Sequence, residues 1–231
     1  MLRLKQVKTL FFDFFGTLVE YQDTYTISFK TITLFLRKNN ILIEKKLLQK
    51  TLISTFDDLE NKARKSWNEY SMDDVMSSTF KKLLLDVDGK LKKKCIDIYL
   101  QEWNRFVIYD ESVNKLLKDL AKVYPIAIIT NTHHSPLINY HLRAMGMKSF
   151  SFPIVTSIEL GRRKPCPTVY HHAAKLMGIL PKNGLMVGDS LENDYYGSLN
   201  AGMQAVLLDK IGKNSNIHSI SSLHDLRKML L

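Results

Sequence analysis

Cysteine is scarce in this 231-residue chain, and long apolar runs are absent from it. Its two cysteines, Cys95 and Cys166, are far apart and lack the spacing of metal ligands, which excludes a disulfide scaffold and a cysteine-based zinc motif. No segment approaches the roughly 20 consecutive apolar residues that cross a bilayer, so no membrane partner is expected. Internal repeats are absent, and the one biased segment is a lysine-rich stretch at 90–94.

A secretory leader is also not expected. Basic residues precede an apolar stretch at the N-terminus, but Asp13 interrupts the apolar run and no small-residue cleavage site follows it. Together with the two unpaired thiols, this predicts a cytoplasmic protein that keeps its cysteines reduced.

What the chain does have is the composition of a globular protein, with 45% hydrophobic and 24% charged residues. Its formal net charge of +10 favours contact with anions, such as phosphorylated metabolites, or simply a solvated basic surface. The lysines are dispersed and no nucleic-acid-binding motif accompanies them, so no nucleic-acid partner is expected. A small molecule is the expected ligand, and both a monomer and a homodimer are compatible with the sequence.

Two patterns of apolar residues divide the chain. A first buried strand is predicted at 7–13, and from about 20 to 110 apolar residues recur at helical spacing with no buried strand. After residue 111 strands and helices alternate, which predicts an α/β fold, a Rossmann-like doubly wound parallel sheet. We predict a core domain of residues 1–19 and 111–231 and an inserted all-helical cap domain of residues 20–110. The later strands are predicted at 126–130, 152–156, 184–188 and 204–208, with helices at 112–122, 136–145, 167–177 and 194–201.

Polar side chains follow these predicted strands at the point where each one ends. Because ligands bind at the carboxyl ends of the strands in open α/β sheets, we expect the segments to meet in one crevice. The four segments are Asp13-Phe14-Phe15-Gly16-Thr17, Thr130-Asn131, Lys164-Pro165 and Gly188-Asp189-Ser190-Leu191-Glu192-Asn193-Asp194.

In their order and spacing these segments resemble the motifs of the haloacid dehalogenase superfamily, over nearly the whole chain from Leu10 to Leu208. The resemblance implies that Asp13 is a nucleophile that forms an aspartyl-phosphate. It implies further that phosphoryl oxygens are held by Thr130, by the backbone near Asn131 and by Lys164. The remaining candidates for contact with substrate or phosphate are Thr17 and Arg163.

The same resemblance implies a Mg²⁺ cofactor. Its ligands are expected to be Asp13, the backbone carbonyl of Phe15, and Asp189, while Asp194 either supports the waters of the metal or fixes Lys164. An argument independent of family points the same way. Three carboxylates converging on one crevice, with Lys164 as the reliable countercharge, raise one another's pKa unless a cation lies among them.

Phe15 is the departure from the family pattern, because the phosphatases of the superfamily carry a second Asp there. That Asp protonates the leaving group and activates water, and the side chain of Phe15 does neither. Three interpretations stay open: a Mg²⁺-dependent phosphatase with an altered acid–base step, a metal-independent 2-haloacid dehalogenase in which Asp13 attacks carbon, and a homologue with impaired turnover and a binding or regulatory role. Retention of Asp189 and Asp194 favours the phosphatase.

Two further segments carry residue types that are common at catalytic sites. The segment around Asp86, Asp88 and Gly89 imitates a two-acid motif, but it lies among the predicted helices and is interpreted as a helix end and turn. His133 and His134 follow Thr130 on a loop expected to border the crevice, where either could replace the missing acid or simply be exposed.

Overall fold

In a computed structural model, which describes residues 6–22, 27–147, 151–214 and 216–230, the chain divides into two compact units. One comprises Met1–Glu20 and Ile108–Leu231, and the other comprises Tyr21–Val107. The short strands β2 (Glu20–Tyr21) and β3 (Val107–Ile108) pair with each other at the two points where the chain passes between the units.

The first unit is built on a six-stranded parallel sheet with the order β5-β4-β1-β6-β7-β8. Its central strands are apolar runs that are buried along their whole length, as expected for a parallel sheet covered on both faces. The predicted α/β fold is therefore confirmed. The strands are β1 (Thr9–Phe12), β4 (Ile126–Thr130), β5 (Ile154–Thr156), β6 (Gly184–Gly188), β7 (Gln204–Leu208) and β8 (Ser219–Ile220).

Helices follow most of these strands and pack on the sheet through apolar faces. Phe11, Ile129 and Tyr170, for example, share one fully buried cluster, and burial of each such side chain contributes about 1.5–3 kcal/mol. The helices are α5 (Glu111–Leu120), α6 (Pro136–Ala144), α7 (Ser157–Leu160), α8 (Pro167–Leu176), a 3₁₀ turn (Pro181–Asn183), a π-helical turn (Leu191–Tyr196), α9 (Gly197–Asn200) and α10 (Asp225–Leu230).

The second unit is helical. Its helices are α1 (Lys30–Lys38), α2 (Lys45–Ser66), α3 (Met72–Lys82) and α4 (Gly89–Asn104). Ser71 and Asp74 form a capping box at the start of α3, and the Asp88 carboxylate accepts a hydrogen bond from the Leu91 amide at the start of α4. Asp88 thus belongs to the turn between two helices, as the sequence predicts. None of the helices in the described part of the chain has the length and apolar character needed to cross a bilayer.

Two sequence predictions need correction. The strand at 204–208 is not the last one, because β8 adds an edge strand of two residues in a polar segment that carries no apolar run. The helix predicted at 194–201 begins earlier, at Leu191, as a π-helical turn that precedes α9. π-Helical turns are rare and often occur at functional sites, and this one contains Asp194.

Candidate active site

The polar residues of the four segments meet at the carboxyl edge of three neighbouring strands. Asp13 follows β1, Thr130 ends β4, and Asp189 follows β6, and β1 lies between β4 and β6 in the sheet. The register pairs Phe12 with both Ile128 and Val187, so the three strands end nearly level. The sheet topology alone therefore brings a carboxylate, a hydroxyl and a second carboxylate to one edge.

Lys164 lies at the centre of this arrangement. Its ammonium group donates hydrogen bonds to Asp13 Oδ1 at 2.6 Å, to Asp194 Oδ1 at 2.5 Å and to the carbonyl oxygen of Ile129 at 3.0 Å. These three bonds use all three protons of the ammonium group. Burial would lower the pKa of Lys164, but the charges of Asp13 and Asp194 more than offset this and raise it, so the side chain stays positively charged.

Three carboxylates converge around this lysine. One oxygen from each of Asp13, Asp189 and Asp194 lies within 4.8 Å of the others, with Asp13 and Asp194 buried and Asp189 exposed. Burial raises the pKa of Asp13 to about 7 despite the attraction of Lys164, and Asp194 contributes in the same direction. Desolvation, followed by repulsion from Asp194, also raises the pKa of Asp189. One ammonium group does not balance three carboxylates, and the oxygen donors are of the kind that Mg²⁺ prefers.

Two glycines make room for these acids. A Cβ atom on Gly16 would overlap the Asp189 carboxylate, and one on Gly188 would overlap the carboxyl group of Asp194. Gly16 also has a φ of +86°, a conformation that other residues adopt only with strain. The Gly residues of the first and fourth segments are therefore required by the positions of Asp189 and Asp194.

The π-helical turn holds Asp194 against the loop that carries Lys164. Asp194 Oδ2 accepts a hydrogen bond from the Ser190 amide at 3.0 Å, while Oδ1 accepts the bond from Lys164. The buried Tyr170 hydroxyl donates to the Asn193 carbonyl. A Cβ atom on Gly197 would overlap that hydroxyl and would lie 2.8 Å from Pro165 Cβ, so the close approach of turn and loop depends on this glycine.

The candidate substrate-binding residues occupy different settings. The Thr17 hydroxyl lies between two acids, 3.5 Å from Asp13 Oδ2 and 3.4 Å from Asp189 Oδ1. Thr130 is buried at the end of β4. The Asn131 carboxamide is paired with the backbone of Lys164, an arrangement that the sequence does not reveal. Arg163 is half-buried in the loop just before Lys164.

The half-buried Phe15 packs against two aromatic rings. Its ring packs edge-on against Phe14, with centroids 5.1 Å apart, and against His141, with centroids 5.6 Å apart. His141 is fully buried, and its Nδ1 lies 2.8 Å from the Tyr109 hydroxyl. Burial lowers the pKa of His141 to about 4, which keeps the ring neutral near pH 7. The position of the expected second acid therefore holds a ring next to a neutral histidine.

The sequence alone does not predict a place for His141 at the site. A signal for it exists, because it lies on α6 at the same face as the buried residues Leu137, Ile138 and Leu142. A histidine on the apolar face of a helix is buried, but the pattern does not show which ring it contacts. The sequence predicts instead that His133 and His134 border the crevice. Both are half-buried on the loop after β4, and the His134 amide donates to the Thr132 hydroxyl.

Comparison with known proteins identifies the class. The family model described as haloacid dehalogenase-like hydrolase matches residues 7–202, and the chain belongs to this family of hydrolases. Among solved structures, a 2-haloacid dehalogenase from Pseudomonas syringae pv. Tomato DC3000 has a TM-score of 0.73 at 19% identity, with 97% of this chain and 98% of that chain covered. A HAD phosphatase from Thermococcus onnurineus has a TM-score of 0.66 at 21% identity, with the same coverage. These two likenesses concern the fold.

Curated relatives in sequence are phosphatases. N-acylneuraminate-9-phosphatase of Rattus norvegicus is 29% identical over 145 residues, which is 60% of this chain and 58% of that protein. Glyceraldehyde 3-phosphate phosphatase of Pyrococcus furiosus is 25% identical over 217 residues, 93% of this chain and 85% of that protein. The chain thus aligns with little more than half of the first relative and with most of the second.

Proposed function

We propose that this protein is a Mg²⁺-dependent phosphatase that hydrolyses a small phosphorylated metabolite through an aspartyl-phosphate on Asp13. The observation that carries the proposal is the buried Lys164, which holds Asp13 and Asp194 at 2.6 and 2.5 Å while Asp189 lies beside them. Such a group of acids has no packing role that an apolar set would not serve better, since buried charges cost desolvation energy. Two phosphatase relatives support the choice of phosphorus as the atom attacked.

The acidic cluster fits the proposed ion. Asp13 and Asp189, with the backbone carbonyl of Phe15, are the residues that would hold Mg²⁺, and the ion would offset negative charge on the phosphoryl group. Asp194 has both of its carboxylate oxygens engaged, one by Lys164 and the other by the Ser190 amide. These contacts favour the second of the two roles expected for Asp194, which is to fix Lys164.

Each step of the proposed reaction uses a residue of this edge. The Lys164 ammonium group orients Asp13, whose carboxylate oxygen forms a bond to phosphorus as the bond to the leaving oxygen breaks. The Thr130 hydroxyl and the backbone near Asn131 bind phosphoryl oxygens, and a water molecule then attacks phosphorus and releases Asp13 and phosphate. Arg163 and Thr17 complete the proposed contacts with substrate and phosphate.

The lack of an acid at position 15 limits which phosphorylated substrates this site would hydrolyse rapidly. The leaving oxygen departs with the electron pair of its bond to phosphorus, and neither Phe15 nor the neutral His141 beside it supplies a proton. Unless His133 or His134 on the loop after β4 supplies the proton, it comes from solvent, which favours leaving groups that are stable as anions, such as carboxylates and phenolates. We therefore propose acyl or aryl phosphates as preferred substrates over simple alkyl phosphates.

The same observation favours one second candidate, a 2-haloacid dehalogenase in which Asp13 displaces halide from carbon. Halide leaves without a proton, so an aromatic ring at position 15 is compatible with that reaction. A metal-independent reaction, however, gives no reason for Asp189 to stand beside Asp13 and Asp194. The acid cluster therefore favours the phosphatase.

A paired assay tests the two functions. Phosphate release would be measured with Mg²⁺ on a panel of acyl, aryl and alkyl phosphates, beside halide release from 2-chloropropionate, each with and without EDTA. We expect phosphate release that EDTA abolishes and that Asp13→Asn also abolishes. Halide release that survives EDTA, without phosphate turnover, would overturn the proposal in favour of the dehalogenase.

A further inference from the structure

The Asn131 side chain makes a paired contact with the backbone of Lys164. Its Nδ2 donates to the Lys164 carbonyl at 3.0 Å, and its Oδ1 accepts from the Lys164 amide at 2.8 Å. The carboxamide thus bonds both polar groups of one residue's main chain, as a neighbouring strand would. Asn131 follows β4 directly, so this contact ties the loop carrying Lys164 to the edge of the sheet.

We propose that the Asn131 side chain is a positioning residue that holds the Lys164 backbone so that its ammonium group reaches Asp13 and Asp194 together. Lysine has a long flexible side chain, so a backbone held in one position leaves fewer side-chain conformations to restrict when the ammonium group bonds both acids at 2.6 and 2.5 Å. Two bonds to one residue fix both the position and the orientation of its main chain. The kinetic part of this inference rests on the proposed function, but the structural part does not.

The loop that presents Asn131 is itself anchored by a separate contact. The Ser157 hydroxyl accepts from the Thr132 amide at 2.9 Å and lies 3.3 Å from the Thr132 carbonyl oxygen, to which it donates. Ser157 is fully buried at the start of α7. Asn131 therefore extends from a loop held on its far side, and the two contacts are separable by substitution. Ser157→Ala loosens the loop without removing the carboxamide from Lys164.

The competing role for Asn131 is direct contact of its carboxamide with the phosphoryl group. Its Oδ1 is already an acceptor for Lys164, and one of the two Nδ2 protons is already donated. Phosphoryl oxygens need donors, and the backbone near Asn131 supplies one without using the side chain. The side chain is therefore assigned to Lys164 and the backbone to the substrate.

Chemical labelling of Lys164 tests the structural part without any assay of activity. The intact protein would be treated with trinitrobenzenesulfonate, and labelling of each lysine followed by mass spectrometry, with exposed lysines as internal references. Lys164 is 3% exposed and should react slowly in the wild type. We expect Asn131→Ala to raise its relative rate at least about fivefold, Asn131→Asp to raise it less because the acceptor remains, and Ser157→Ala, which loosens the loop but keeps the carboxamide, to raise it less than about twofold. An unchanged rate in Asn131→Ala would overturn the inference, as would an equal rise in Ser157→Ala.

A double-mutant cycle tests the kinetic part. Asn131→Ala should lower kcat about tenfold in the wild-type background, and less than about twofold in the Lys164→Met background, because the group it positions is gone. Equal losses in both backgrounds would show that Asn131 acts on the substrate directly and would overturn the positioning role. If no phosphate is released by the wild type, the proposed function fails, and the labelling result still decides whether Asn131 positions Lys164.

Discussion

Two groups of ion pairs, one in each unit of this chain, lie in opposite environments. In the unit with the parallel sheet, Lys164 is 3% exposed and its partners Asp13 and Asp194 are 8% and 2% exposed. In the helical unit, the pair of Lys82 with Asp58 has side chains that are 40% and 58% exposed. All three N–O distances are short, at 2.5–2.7 Å, so distance does not distinguish the buried pairs from the exposed one.

The environment of each pair decides what it contributes. An exposed pair is screened by water and contributes about 0–1 kcal/mol, while removal of one partner from a buried pair leaves an uncompensated charge and costs about 3–5 kcal/mol. Burial of the charges around Lys164 therefore costs desolvation energy, whereas the exposed pair at Lys82 costs little. Such an arrangement is expected where charge is needed for chemistry.

The largest expected effect is the loss of activity on removing the nucleophile. Asp13→Asn keeps the size of the side chain but replaces the carboxylate whose oxygen attacks phosphorus. The kcat for phosphate release should therefore fall by at least about 10³-fold. The matched control is Asp58→Asn in the helical unit, which should stay within about twofold of the wild type. Substantial turnover by a folded Asp13→Asn protein would locate the nucleophile elsewhere.

The next effect is on stability. Lys164→Met leaves Asp13 and Asp194 buried without their countercharge, and the free energy of unfolding should fall by about 3–5 kcal/mol. Lys82→Met should lower it by less than about 1 kcal/mol. Urea denaturation of both variants, without Mg²⁺, measures the difference. Similar losses in the two variants would mean that burial does not separate these ion pairs.

Much of the first unit could be predicted from the sequence, because strand and site are set by the same pattern. Apolar runs that end on Asp13, Thr130 and Asp189 predict both the strands and the edge where their polar groups meet. The motifs around them also predict the family, which the match over residues 7–202 confirms. Local periodicity, with the rule that ligands bind at the carboxyl ends of parallel strands, therefore suffices to bring these three residues to one edge.

Contacts between loops could not be predicted in the same way. The pairing of Asn131 with Lys164 depends on the path of two loops that the periodic pattern does not describe. The contact of His141 with Phe15 depends on which ring a buried helix face meets. The edge strand β8 has two residues and forms only because β7 offers it an unpaired edge. Each of these features is determined by tertiary packing.

A gain of function tests what Phe15 means for this site. Phe15→Asp places a carboxyl group where the ring now packs, and it should raise the rate on alkyl phosphates about 10- to 100-fold, at or below the low end of general acid–base effects. Aryl phosphates should change less than about threefold, because phenolate leaves without a proton. Phe15→Leu, which removes the ring without adding an acid, is the control and should show no gain. A folded, Mg²⁺-binding Phe15→Asp protein without any gain would mean that the site is adapted to the aromatic ring.

The smallest effect concerns a buried ionisable group in the helical unit that is neutral. Cys95 is fully buried on α4, and burial raises the pKa of its thiol from 9.0 to about 12. Well below pH 9 the thiol is protonated in both the folded and the unfolded chain. As the pH rises from 9 towards 12, the unfolded chain loses this proton first, so stability decreases over that range.

Comparison with a group that does not titrate isolates this contribution. Cys95→Ser carries a hydroxyl that stays protonated, so the stability of the wild type relative to this variant should decrease by about 1.4 kcal/mol between pH 8 and pH 10. Urea denaturation of both proteins in the presence of a reductant measures it. A difference that stays constant with pH would show that the Cys95 thiol ionises as readily in the folded helical unit as in the unfolded chain. In that case Cys95 would not be a buried neutral group that contrasts with the buried ion pairs of Lys164.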